Sequence, residues 1–267
     1  MELSRNKIIV FSHIPKTAGT SLKYLTRRHF GVNELDAKYR GSSAIYTLSD
    51  LKRDKMLYPN LSLLAGHCIK PYVDFGSFEC NMLWFTFLRN PINRYVSHYV
   101  HQQTGKNENY KMDIFSWAKK FRRSNWMVRM IAGEENLDKA KEMLNKFHFI
   151  GLTEKFDISM IMFKQAFNIP TFNVSLSKSK MIVRDTALKD EIFNNYDRYE
   201  NLLKLENSLD IELYEYFLDD IWPKQLKQFS IQSEPNTHER SALFHRSALL
   251  AAKLKRNLLY KPFVKFF

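Results

Sequence analysis

A single lysine set among hydroxyl-bearing and small residues is the first feature with chemical meaning. The stretch Pro15-Lys16-Thr17-Ala18-Gly19-Thr20-Ser21 follows directly on an apolar run, Ile8 to Phe11. Small residues such as Ala18 and Gly19 let a backbone curl tightly and aim its N–H groups at a ligand. Thr17, Thr20 and Ser21 add hydroxyl donors, and Lys16 adds a compact charge that can move toward a bridging oxygen. Together these parts suit a phosphate or sulfate ester. The stretch is not a Walker A loop, in which the lysine follows the second glycine. Here Lys16 precedes Gly19, and no acidic residue follows a strand-like run to hold the Mg²⁺ that nucleoside triphosphate transfer requires.

A second polar cluster lies at Arg89-Asn90-Pro91, after the apolar and aromatic run Met82 to Leu88. Arg89 ends that run, and Ser97 stands eight residues later, about two helical turns into the next element. An arginine there can make paired hydrogen bonds to a phosphate, with a serine hydroxyl adding one more. Two anion sites in one chain suit a ligand phosphorylated at both ends of its ribose better than NAD or ATP. A proton acceptor is also available. His67 follows the apolar run Leu61 to Ala65, and histidine titrates near neutral pH. His13, His98 and His101 are rivals for that role.

These residues need a scaffold. Ile8 to Phe11, Leu61 to Ala65, Met82 to Leu88 and Phe147 to Leu152 read as buried parallel strands. A helical pattern follows the first, with Leu22, Leu25 and Phe30 on one side. Another follows Pro91, which is well placed in a first helical turn. Residues from about Met112 to Lys146 read as helical with a break near Gly133, as do Glu154 to Phe167 and Asp190 to Lys227. Asn33 to Asp54 is a polar stretch with weak periodicity. Strands alternating with helices predict an α/β fold, a P-loop-like parallel sheet flanked by helices with a helical C-terminal extension. In such sheets ligands gather at the carboxyl ends of strands, which is where Lys16, His67 and Arg89 fall.

With 267 residues, 45% of them hydrophobic, the chain can bury one sizeable core. Its 21 Phe and 13 Tyr exclude a disordered chain. A formal charge of +13 favours anionic partners. Cys68 and Cys80 make neither a metal pattern nor a disulfide framework and are read as thiols. From Glu239 onward the chain carries Arg240, Arg246, Lys253, Lys255, Arg256, Lys261 and Lys265 among Leu, Ala and Phe. We therefore divide it into a main domain, 1–232, and a basic amphipathic extension, 233–267, that can contact an anionic membrane surface. The linker is Ser233 to Thr237. No N-terminal apolar stretch can span a bilayer, so the expected location is cytoplasmic, with peripheral contact at the inner membrane.

His13-Ile14-Pro15-Lys16-Thr17-Ala18-Gly19-Thr20-Ser21 resembles the 5′-phosphosulfate loop of the carbohydrate sulfotransferases that use 3′-phosphoadenosine 5′-phosphosulfate (PAPS). It is similar in particular to the branch holding the uronosyl 2-O-sulfotransferases and their bacterial relatives. Phe87-Leu88-Arg89-Asn90-Pro91 through Ser97-His98-Tyr99 is similar to that family's 3′-phosphate motif. Gly66-His67, with Phe75 downstream, resembles its base element. The resemblance extends to Asn125…Arg129…Gly133 and to Gly151-Leu152-Thr153-Glu154, and covers about residues 7 to 220. It implies that Lys16, Thr17, Ala18, Gly19, Thr20 and Ser21 hold the 5′ end of PAPS, that Arg89 and Ser97 hold its 3′-phosphate, and that His67 and Lys16 are catalytic. It also points to Ser177 or Lys178, in the Ser175 to Lys180 loop, as a PAPS contact.

The implied reaction is in-line displacement of the sulfuryl group by an acceptor hydroxyl, without a metal. The Golgi members carry a membrane anchor and stem, and this sequence opens on the first strand instead. The expected acceptor is accordingly a bacterial carbohydrate such as a capsular polysaccharide, a lipopolysaccharide or a glycolipid, and not nucleic acid. The alternative reading is a P-loop kinase acting on a small molecule or sugar. A basic module without catalysis fits the two-site layout poorly.

Overall fold

The computed structural model describes residues 7–37, 44–105, 111–174, 187–229 and 250–262. They contain one parallel sheet of five strands: β1 (Ile8–Ser12), β2 (Glu34–Asp36), β3 (Leu63–Gly66), β4 (Met82–Leu88) and β5 (Phe149–Leu152). The spatial order is β2-β3-β1-β4-β5. β1 is central, with Ile9 opposite Leu63 of β3 and Leu83 of β4. The connection from β1 runs toward the β2 edge and the connection from β4 toward β5, so a crevice opens between the carboxyl ends of β1 and β4. All five residues of β1 are buried, as expected for a strand covered on both faces.

Helices cover both faces. α1 (Gly19–Phe30) follows β1, and α3 (Pro91–Gln103) follows β4 with Pro91 in its first turn and the Asn90 side chain accepting from the Asn93 amide. The intervening α2 (Leu48–Leu57) starts at a capping box on Thr47 and Asp50. The long helical pattern after Met112 resolves into α4 (Ile114–Phe121), α5 (Trp126–Ala132) and α6 (Leu137–Asn145). α7 (Phe156–Ala166) follows β5, and α8 (Ala187–Asn194), α9 (Tyr196–Leu205), α10 (Ser208–Tyr216) and α11 (Trp222–Gln228) complete the packing. One core is notably aromatic, joining Phe11, Phe85, Phe87, Phe149, Phe163 and Phe167.

β2 and α2 fall largely within the polar stretch Asn33 to Asp54, whose weak periodicity marked neither. Glu34 and Asp36 are polar yet buried; α1 supplies counter-charge to Asp36, while at Glu34 burial outweighs Arg27 and raises the pKa to about 7. Lys23 Nζ and Arg27 Nη2 pair with the Asp36 carboxylate at 2.8 and 2.6 Å, and Arg27 Nε lies 3.5 Å from Glu34. The opposite edge is closed by a side chain. Buried Gln225 of α11 accepts from the Ile150 amide at 2.9 Å and donates to the Ile150 carbonyl at 3.1 Å, as a neighbouring strand would.

α5 and α10 cap each other. The Asp210 carboxylate accepts from the Met127 and Val128 amides, while Asn125 Oδ1 accepts from the Leu209 amide. Asn125 and Gly133 of the Asn…Arg…Gly stretch thus bound one helix, both with left-handed backbone. Residues 250–262 are helical, with a π turn at Arg256–Tyr260, and pack beside α2. The linker, the 232/233 boundary and the Ser175 to Lys180 loop with Ser177 and Lys178 lie outside the described residues. Among the described residues no helix is long and apolar enough to cross a membrane.

Candidate active site

The turn between β1 and α1 is shaped by left-handed backbone at two residues that are not glycine, Lys16 (φ 73°) and Ala18 (φ 60°). Such residues alternate amide directions and form an anion-binding concavity ahead of the helix. Strain at such positions costs on the order of 1 kcal/mol each and tends to accompany function. Thr17 is buried, and its hydroxyl donates to the Ile14 carbonyl at 2.8 Å. It closes the turn, so what it can offer a ligand is its backbone N–H. Thr20 is exposed and Ser21 half-buried in the first turn of α1.

Gly19 has a different role from its neighbours. A Cβ there would lie 1.8 Å from His13 Nε2, so the missing side chain makes room for the His13 ring. That ring stacks on His67 with centroids 4.0 Å apart. His67 Nδ1 lies 2.7 Å from the His13 carbonyl. A carbonyl only accepts, so Nδ1 carries the hydrogen and Nε2 is left with its lone pair. Burial is the main cause that lowers His67 to a pKa of about 4, with Lys23 and Lys70 adding repulsion. The ring is therefore neutral at pH 7, the state a proton acceptor needs.

Arg89 stands at the end of β4, half-buried, and its Nη1 donates to the Lys16 carbonyl at 3.0 Å. The two motifs are thus in contact across the end of the sheet. Glu154, just past β5, fixes this corner. Its carboxylate accepts from the Asn90 amide at 2.9 Å and from the Tyr214 hydroxyl at 3.3 Å, and it offsets part of the desolvation of Arg89. Ser97 is half-buried on α3, one turn past Arg94.

Sequence reasoning missed several cations that gather here. Arg94 is fully buried, with an ion pair to Asp210 at 3.7 Å and no hydrogen bond at any guanidinium nitrogen. His98 is nearly buried, and after burial the main causes pushing its pKa far down are the charges of Arg94, Arg123 and Lys16. Arg94 is likewise disfavoured by Arg89 and Arg123. Positive groups from the β1 turn, from the β4 turn and α3, and from the segment before α5 thus converge, and a multiply charged anion would relieve them. Arg123 also lies over the Trp126 ring at 4.5 Å. A weak signal for Arg94 was its place three residues before Ser97 on one helical face.

Lys70 was also missed. It is 7% exposed, and among the described residues its Nζ meets only the Met130 thioether, at 2.6 Å. Burial lowers its pKa to about 8, and no carboxylate of the described residues offsets this. Nothing in Cys68-Ile69-Lys70-Pro71 distinguishes it from a surface loop lysine. Of the rival histidines, His98 is enclosed by Trp117, Trp126 and the cations, and His101 is exposed near the end of α3. Among the described residues no cluster of three or more His, Cys, Asp or Glu could hold a metal ion.

Comparison with protein families finds a match to the model described as the sulfotransferase family, over residues 3–221. No curated protein matches the chain.

Proposed function

This chain belongs to the sulfotransferase family, and we propose that it transfers a sulfuryl group from PAPS to a hydroxyl of a carbohydrate or glycolipid, with His67 as general base. The observation that carries the reading is the contact of Arg89 with the Lys16 carbonyl, within a cluster of cations that have few carboxylates to answer them. PAPS brings negative groups at both ends of its ribose, and the residues present fit it. Lys16 and the amides of residues 17–21 would hold the 5′ end. Arg89 and Ser97 would hold the 3′-phosphate, with Arg94 and Arg123 adding positive potential behind them.

When bound, PAPS supplies an activated sulfuryl group whose bond to the 5′-phosphate oxygen breaks as sulfur joins the acceptor oxygen. The protein's contributions are positional and electrostatic. His67 Nε2 takes the proton of the acceptor hydroxyl, while the His13 carbonyl holds Nδ1–H and keeps the tautomer fixed. Lys16 and the turn amides offset charge on the departing 5′-phosphate, each well-placed donor contributing about 3 kcal/mol. Lys70 adds a second cation beside His67.

The test is incubation of the full chain with labelled PAPS and a panel of bacterial polysaccharides and glycolipids, with EDTA present. Labelled glycan in EDTA supports the proposal. Product formed only from ATP with Mg²⁺ would replace it with sugar phosphorylation.

A further inference from the structure

We propose that the C-terminal helix is a docking face for an anionic lipid surface. Residues 250–262 include Lys253, Lys255, Arg256 and Lys261, and no Asp or Glu follows Glu239. One side of the helix is fixed to the domain. Tyr260 is fully buried, its ring meets Tyr58 edge-on with centroids 6.0 Å apart, and its hydroxyl donates to Asp54 at 3.3 Å. Lys255 Nζ lies 3.9 Å from the centre of the Tyr58 ring and donates to the Val32 carbonyl at 3.2 Å.

The other side faces solvent. Leu250, Leu254 and Leu258 recur every four residues, joined by Leu259, and are 58%, 48%, 68% and 54% exposed. Ten large apolar residues are exposed on the described chain, and four of them fall within these ten positions. The other six are scattered, so this stripe is a concentrated feature. Lys253 is exposed beside it.

The leucine stripe with exposed Lys253 beside it, in a segment whose sequence holds no carboxylate, matches a surface with negative headgroups over hydrocarbon. A second copy is a poorer match, because two such segments repel and the whole chain carries +13. The position also leaves the reaction site clear. Val32 precedes β2 and Tyr58 precedes β3, whereas His67 and Arg89 follow their strands. The helix therefore lies at the opposite end of the parallel sheet from the catalytic residues.

The experiment is co-sedimentation of the full chain with phosphatidylcholine vesicles, with and without phosphatidylglycerol. Binding is expected only to the anionic vesicles and should weaken as salt rises. Leu254→Ser/Leu258→Ser should lower the bound fraction about tenfold. Both side chains are exposed, so the variant's melting temperature and its affinity for 3′-phosphoadenosine 5′-phosphate (PAP) should match the parent's. The proposal is overturned by absent binding, by equal binding to neutral vesicles, or by an unchanged double variant. It is equally overturned if ultracentrifugation shows the leucines mediating self-association in place of vesicle binding. PAP affinity is read separately, so failure of lipid binding and failure of the transfer reading are distinguishable.

Discussion

His13 and His67 stack with ring centroids 4.0 Å apart and planes inclined by 26°, while the His13 carbonyl holds the Nδ1–H of His67. One residue thus supports the other through both ring and backbone. His13 in turn occupies the space left by the absent side chain of Gly19. The proposed base is thus positioned by the turn between β1 and α1.

Gly19→Ala should therefore damage more than the turn. The added methyl must displace a His13 ring that is 7% exposed, at a cost of about 1–3 kcal/mol. Urea denaturation should show that loss, and transfer activity should fall with it. Unchanged stability would mean that the His13 ring moves aside freely and the stack is incidental.

His67→Gln should lower transfer by about 10²–10⁴-fold while calorimetry shows PAP bound as before. The native imidazole, held to about 4 by burial, stays neutral between pH 5 and 8, so kcat/KM should lack the acid limb of an ordinary histidine. Stability carries the same signature. The unfolded imidazole titrates near 6.5 and the native one near 4, so as pH falls through that window only the unfolded chain takes up the proton. The His67 contribution should decline from about pH 6.5 downward and be level above it. The decline in stability should be shallower in His67→Gln, with buried His98 acting in the same direction and buried Glu34, raised to about 7, in the opposite one. An acid limb near pH 6.5 in the parent would argue against this base.

Arg89→Ala should separate the two ends of the nucleotide. Loss of charge-assisted hydrogen bonds costs about 1.5–3 kcal/mol, or roughly 10- to 100-fold in PAP affinity. Adenosine 5′-monophosphate, which lacks the 3′-phosphate, should bind equally to parent and variant. An equal loss for both ligands would place Arg89 elsewhere on the nucleotide.

Lys70→Met should stabilise the fold and impair the reaction. Removing a buried ammonium that meets only a thioether should gain about 1–3 kcal/mol at pH 7. The native lysine titrates near 8 and the unfolded one near 10.4, so the parent's stability rises across that window as the native group sheds its proton first. The advantage of the variant should shrink correspondingly between pH 8 and 10. A variant that gains stability and keeps full transfer would remove Lys70 from the reaction.

The apolar runs that became β1, β3, β4 and β5 were legible because a strand buried on both faces needs little but hydrophobic residues. Lys16, His67 and Arg89 could be set at one end of the sheet for the same reason. β2 was hidden because Glu34 and Asp36 sit in a polar stretch of weak periodicity, and the pairing of Asp36 with Lys23 and Arg27 on a separate helix leaves no local pattern. The stacking of His13 on His67 depends on the space over Gly19, and the exchange of caps between Asn125 and Asp210 spans 85 positions, so neither leaves a local pattern. The C-terminal helix was legible as basic and amphipathic. Its anchorage through Tyr260 was not, because an aromatic among leucines carries no sign of which side it serves.

Gln225 bears on how short a working version of this protein can be. The family match ends at residue 221, four positions before the amide that occupies the exposed ladder of Ile150. A fragment trimmed to the matched span would display unfilled donors and acceptors along its outermost strand, open to strand addition from another molecule. Such a fragment should form sheet-to-sheet aggregates where the longer chain stays dispersed, so the smallest self-sufficient unit extends past residue 225.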